Sequence, residues 1–174
     1  MRILAFDQSS KLSGWCVFEK GQYIDSGVID KHKTTDSDKR IAEMGLAIYR
    51  KISEVKPDLV VIENIQNQSN TATVILLARL QGMILGYCAA HKIRTKILGP
   101  SQWRSVLSFQ QGQKVKREEL KQQAMDYVKK NFSSGDCEID EAEAICIGVA
   151  TIKLLDDTWD EWVYLSLFRI QNNY

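Results

Sequence analysis

The sequence predicts an α/β domain in which a mixed five-stranded sheet is flanked by helices. Three observations carry that prediction. The chain opens on three adjacent strand-like runs, the second and third joined by a glycine-containing turn at Glu19-Lys20-Gly21. Leu59-Val60-Val61-Ile62-Glu63 is a continuous apolar run too short for a helix, and it suits a strand buried on both faces of a parallel sheet. After residue 40, helical and strand patterns alternate, the order that layers helices against a sheet.

Taken in order, Arg2 to Asp7 reads as a buried strand ending in a carboxylate, and Gly14 to Phe18 and Gln22 to Ile29 form the hairpin that follows. A polar loop spans Asp30 to Lys39. Ile41, Met44, Ile48, Ile52 and Val55 then recur at spacings of three and four, an amphipathic helix stopped by Pro57. The strand Leu59 to Glu63 also ends in a carboxylate, and the polar loop Asn64 to Asn70 leads into a long apolar helix from about Thr71 to His91. Thr95 to Leu98 supplies a fifth strand, broken by Gly99-Pro100. Ser101 to Leu107 predicts a short helix, Val115 to Phe132 a longer one, and Ile139 to Leu155 a last one, with loops at Phe109 to Gln113 and Ser133 to Asp136. Residues 1–157 make one domain. Residues 158–174, with Trp159, Trp162, Tyr164, Leu165, Leu167 and Phe168, extend it as an extra helix, an edge strand or an oligomer contact, and packing against the domain is a simpler role for these aromatics than stacking on bases.

A chain of 174 residues with 44% hydrophobic and 26% charged residues, 10 Gly and 2 Pro has the composition of an ordinary globule, neither collagenous nor disordered. The most apolar stretch, Val74 to Ala90, is interrupted by Arg79 and Gln81, short of the roughly 18 uninterrupted apolar residues of a spanning helix. Asp7 comes too early for a secretory signal, so the expected location is the cytoplasm and no membrane partner is expected. Cys16, Cys88, Cys137 and Cys146 form no CxxC pair, and His32 and His91 are the only histidines, a poor set for structural zinc and a good one for reduced, mostly buried thiols.

The net charge is only +1, but it is unevenly placed. Lys92 to Lys130 carries ten basic residues against three acidic ones, whereas Asp136 to Glu161 carries nine acids against Lys153. A basic block beside an acidic one suits a polyanion held next to a cation site, although two solvated faces would look the same.

Asp7 and Glu63 end two strands, and Asp140 and Glu143 sit three apart on one face of the last helix. If both strands point the same way in one sheet, their carboxyl ends bring Asp7 and Glu63 together where ligand sites of open α/β sheets collect. Taken singly, each acid could equally be a turn or cap residue. Taken together, on strands whose neighbours are apolar, they would repel unless cations lay among them, and oxygen-only ligands select hard ions such as Mg²⁺ or Mn²⁺. Two ions about 3.5–4 Å apart would serve phosphodiester hydrolysis.

The motifs Ile3-Leu4-Ala5-Phe6-Asp7-Gln8-Ser9-Ser10 with Ser13-Gly14-Trp15, then Leu59 to Glu63, then Asp140-Glu141-Ala142-Glu143-Ala144-Ile145, resemble the RuvC family of Holliday junction resolvases, particularly its phage members. The resemblance runs from about residue 1 to residue 155. It implies the RNase H-like fold, a nuclease domain over 1–157, a homodimer, and Mg²⁺- or Mn²⁺-dependent paired nicking of four-way DNA junctions in recombination and repair. By the same resemblance Asp7 binds both of two metal ions, and Glu63, Asp140 and Glu143 complete their coordination.

Two departures from the family pattern stand out. Its last acid is usually Asp and is Glu143 here, with a longer reach that bears on metal preference. Many bacterial members place an aromatic wedge shortly after the second acid, where this chain has the polar Asn64-Ile65-Gln66-Asn67-Gln68, which fits broader action on branched DNA. For DNA contacts the candidates are Lys114, Lys116 and Arg117, where cations meet a helix start, together with Arg104 and Gln66. Trp103 reads as a core anchor, and Ser69 to Thr73 as the cap of the long helix. The rivals are a YqgF-like nuclease acting on structured RNA, a junction-binding module without activity, and a sugar-kinase or actin-like ATPase domain, for which the chain has no second phosphate-binding domain.

Overall fold

The computed structural model describes residues 1–66, 70–132 and 137–156; the expected aromatic extension over 158–174 and the loop at 133–136 lie outside the described residues. The strands are β1 (Arg2–Asp7), β2 (Leu12–Glu19) and β3 (Gln22–Asp30), followed by helix α1 (Ser37–Val55), β4 (Leu59–Glu63), α2 (Thr71–Ala90) and β5 (Arg94–Leu98). Three helices close the described chain: α3 (Pro100–Val106), α4 (Arg117–Asn131) and α5 (Ile139–Asp156). The sheet order is β3-β2-β1-β4-β5, antiparallel among the first three strands and parallel from β1 through β4 to β5. This is the mixed five-stranded sheet that the sequence pattern predicts.

The strands divide their side chains between two cores, because successive residues of a strand face opposite ways. Ile3, Ala5, Leu59 and Val61 join Trp103, Ala124, Val128, Ala142 and Ile145 under α3, α4 and α5. Leu4, Phe6, Val60 and Ile62 join Ile41, Met44, Ile48, Leu80 and Ile84 under α1 and α2. The same alternation carried one step further turns Asp7 and Glu63 toward α5.

Helix α1 begins four residues earlier than its apolar periodicity suggests, because Asp36, inside the stretch expected to be loop, accepts from the Lys39 N–H at 2.7 Å and caps the first turn. Helix α4 begins two residues later than expected, since the Val115 N–H closes a turn onto the Gly112 carbonyl instead. Asn70 caps α2 by accepting from the N–H groups of Ala72 and Thr73, inside the expected capping segment.

Helix α2 is long and apolar enough to cross a membrane by length and composition alone, in spite of Arg79 and Gln81. Its Leu80, Ile84 and Cys88 are buried against the sheet and α1, and Arg79 pairs with Asp38 of α1 at 2.7 Å, so it forms part of the helical layer of this domain. Ile75 remains 47% exposed on its outer side.

Candidate active site

The site begins with strand register. Phe6 lies opposite Ile62 in the parallel β1–β4 pair, and Asp7 and Glu63 are each the next residue. There the ladder gives way to a side chain. The Gln8 amide donates to the Glu63 carbonyl and accepts from the Glu63 N–H at 3.0 Å, prolonging the pairing by one rung. Beyond it, the Ser9 N–H donates to Ser13 Oγ and the Ser13 hydroxyl donates back to the Ser9 carbonyl, both at 2.9 Å, which fixes the turn after Asp7.

Helix α5 brings the other two acids. It lies close on β1 and β2 because Ala142, Ala144, Gly148 and Ala150 present little bulk: a Cβ on Gly148 would stand 2.8 Å from Cys16 Sγ and 2.6 Å from the Phe18 ring. At its first turn the approach is closer still, with Gly14 of β2 directly beneath the Asp140 carbonyl. One carboxylate oxygen each from Asp7, Asp140 and Glu143 then lies within 4.8 Å of the others.

Glu63 stands beside this trio with its own tether, as the indole N–H of Trp103 donates to its Oε1 at 2.8 Å. Trp103 is fully buried, so the expected core anchor also orients a carboxylate. The next residue is more enclosed than an open surface cation. Arg104, expected to meet DNA, has a side chain only 12% exposed, and its guanidinium lies 3.4 Å from Glu143 Oε1 and over the Trp103 ring at 4.7 Å. The physical reason is the uncompensated negative charge next to it, a stronger attraction than open solvent offers a cation at that place. Lys114, Lys116, Arg117 and Gln66 are exposed.

Burial and mutual repulsion set the protonation of the cluster. Asp7 is raised well above the usual carboxylate range by burial first, then by Glu63, Glu143 and Asp140, with Lys121 opposing. Burial also raises Glu63, to about 6, against the Trp103 hydrogen bond and the charges of Arg104 and Arg117. Glu143 is raised by burial, with Arg104 and Lys121 opposing. Lys121, one cation of the basic block, and Arg117 lie one helical turn apart on α4, so their spacing of four is the signal that both face the acids. The oxygen-only donor set, its crowding and its raised carboxyls fit a hard divalent cation.

A consequence for stability follows. The folded, metal-free protein retains a proton on Glu63 that the unfolded chain gives up, so the penalty is absent below about pH 4.5, grows as pH rises toward about 6 and is complete above it. Thermal unfolding in EDTA should therefore show Glu63→Gln gaining about 2 kcal/mol relative to the parent between pH 4.5 and pH 8. A difference that shrinks with rising pH would contradict this sign.

Comparison with known proteins gives the same picture. Residues 3–150 match the family model for crossover junction endodeoxyribonuclease RuvC. The crossover junction endodeoxyribonuclease RuvC of Nitratidesulfovibrio vulgaris is 25% identical over 113 residues, 60% of this chain and 65% of that protein, so the match spans just under two thirds of the relative. Among solved structures, Thermus thermophilus RuvC in complex with a Holliday junction substrate superposes with a TM-score of 0.68 at 12% identity, covering 88% of this chain and 93% of that one. Fowlpox virus resolvase with Holliday junction DNA gives 0.64 at 16% identity over 89% and 99% of the two chains. The yeast mitochondrial Holliday junction resolvase gives 0.61 at 16% identity over 95% and 83%. These likenesses establish the RNase H-like fold, and with the family match over residues 3–150 the chain belongs to the RuvC family.

Proposed function

We propose that this chain is a metal-dependent, structure-selective DNA endonuclease that resolves Holliday junctions, and acts on other branched DNA, by paired phosphodiester hydrolysis in the cytoplasm. The observation that carries the reading is the convergence of Asp7, Asp140 and Glu143 within 4.8 Å, with Glu63 tethered beside them. Four acids held this way by strand register and helix approach are costly for the metal-free fold, a cost that cation binding would offset.

Asp7, Glu63, Asp140 and Glu143 would hold Mg²⁺, with Mn²⁺ able to replace it, and two ions per site is the arrangement such a donor set suits. Bound there, the ions would lower the pKa of an attacking water and neutralise charge on the phosphate. The chain's own part is positional. Gln8 and Trp103 fix Glu63 at the end of β4, Gly14 lets Asp140 reach Asp7, and Arg117 and Lys121 extend positive potential toward the place a phosphate would occupy. Lys114 and Lys116, exposed just ahead of α4, are placed to grip backbone phosphates further along the strand, and exposed Gln66 to touch the branch. Such contacts position DNA without reading its sequence, in keeping with recognition by shape.

Paired cuts across a two-fold junction need two sites, and a homodimer supplies them. The outer side of α2, with Ile75 exposed on a helix of high apolar content, is the face we assign to that contact.

The test is cleavage of an end-labelled four-way junction in Mg²⁺, Mn²⁺ or EDTA, beside linear duplex, a replication fork and structured RNA. Symmetric metal-dependent nicks in the junction are expected, with weaker cutting of the fork. Cleavage of RNA alone, or junction binding without cutting in either metal, would overturn the reading.

A further inference from the structure

Arg104 is an unusual neighbour for a cluster of metal ligands. Its guanidinium has five donors, yet it meets Glu143 at 3.4 Å only, a long contact for a charge-assisted pair, and its Nε is buried with no hydrogen-bond partner. A guanidinium committed to a permanent structural role normally fills its donors with carboxylates or carbonyls in good geometry. Arg40, on the other side of the sheet, shows the contrast: its Nη1 donates to the carbonyls of Thr34 and Thr35 at 2.9 and 3.1 Å, although its Nε too is unpartnered. Arg104 instead stacks over Trp103, the residue that holds Glu63, so consecutive residues of α3 reach two different acids of the site.

From this geometry we infer that Arg104 is an exchangeable counter-cation of the acid cluster: it holds Glu143 while the site is free of metal, and releases it when a divalent cation takes that carboxylate. The inference rests on the metal-dependent reading above and assigns a further role within that site. Arg104 and a divalent cation compete for the same Glu143 oxygens, because a carboxylate turned to the guanidinium has fewer lone pairs for the ion and two positive charges at contact distance repel. The long, partly satisfied pair is weak enough to yield. Once released, the guanidinium stays next to the acids on a short helix, where a phosphate oxygen would complete its empty donors. Arg104 is thus a positioning residue that keeps the metal-free cluster assembled.

The competition fixes the direction of an experiment. Mn²⁺ binding is measured by titration calorimetry for the wild type, Arg104→Gln and Arg104→Lys, and the melting temperature of each is recorded in EDTA and in saturating Mn²⁺. Arg104→Gln should bind Mn²⁺ about tenfold more tightly, the size of one charge-assisted hydrogen bond, while Arg104→Lys stays near the wild type. Its melting temperature should fall in EDTA and recover in Mn²⁺; equal losses in both would mark a merely structural residue and overturn the inference, as would unchanged or weaker Mn²⁺ binding. If Arg104→Gln does not fold, the Arg104 Nη–H resonances of the wild type serve instead, since Nη2 makes the Glu143 contact: their hydrogen exchange should accelerate on titration with Mg²⁺, and exchange unaltered at saturation would overturn the inference. A wild type that binds no Mn²⁺ would overturn the metal-dependent reading itself, which separates that failure from this one.

Discussion

Asp7→Asn should lose junction cleavage by about 10²- to 10³-fold or more while keeping junction binding, and should melt at a higher temperature than the wild type in EDTA at pH 8. The two expectations have one cause. Asp7 lies at the centre of the cluster, raised by burial and then by Glu63, Glu143 and Asp140 together, so it feels all three other acids. Its ionised form is what a divalent cation needs and what the metal-free fold tolerates least. Asparagine keeps the shape of the side chain and one acceptor oxygen but removes the charge, so the repulsion disappears along with the metal site. The exposed cations of the α4 start, which we propose to meet DNA, are on another element and keep their charge, which is why binding should survive. Gel-shift in EDTA, cleavage in Mg²⁺ and thermal unfolding in EDTA read the three quantities separately. Full cleavage by the variant would remove Asp7 from the active site, and a lower melting temperature in EDTA would show that its carboxylate is satisfied in the metal-free fold.

Much of this site is legible in the sequence because it is built from local periodicities. Period two along Ile3 to Asp7 and along Leu59 to Glu63 puts both terminal acids on one face of the sheet, and the i, i+3 spacing of Asp140 and Glu143 puts theirs on one face of a helix. The polar fastenings were not legible, since they join residues far apart in the chain. Gln8 reaches Glu63 across 55 positions, Trp103 reaches Glu63 across 40, and Arg104 reaches Glu143 across 39. A tryptophan and an arginine on a short amphipathic helix look like a core anchor and a surface cation, and only the fold shows that both point into the same acid cluster. Helix boundaries escape the apolar pattern for a related reason: the capping oxygen of Asp36 and the turn at Gly112 to Val115 are decided by single hydrogen bonds, which apolar periodicity does not record.

Gly14→Ala is the substitution expected to do most damage for the fewest atoms. An added methyl group would lie 1.8 Å from the Asp140 carbonyl oxygen, 2.2 Å from its carbon and 2.7 Å from the Glu141 nitrogen. All three are backbone atoms of the first turn of α5, so no rotamer change relieves the clash. The helix start or β2 must retreat by about 1 Å, and overpacking of this kind costs about 1–3 kcal/mol. Its chemical effect should exceed its effect on stability. Gly14 pairs directly with Asp7 in the β1–β2 register, so whatever separates β2 from α5 separates Asp7 from Asp140. Mg²⁺ requires near-ideal octahedral oxygen geometry, and a displacement of about 1 Å at a reacting centre costs about 10²-fold in rate. The variant should therefore keep its far-ultraviolet circular dichroism, bind Mn²⁺ at least about tenfold more weakly and cleave about 10²-fold more slowly. Gly82→Ala in α2 is the matching control, because a Cβ there meets nothing within 4 Å beyond its chain neighbours and its own helix backbone, and it should leave Mn²⁺ binding unchanged. Wild-type Mn²⁺ affinity in Gly14→Ala would mean that the close approach of β2 to α5 does not set the spacing of the acids.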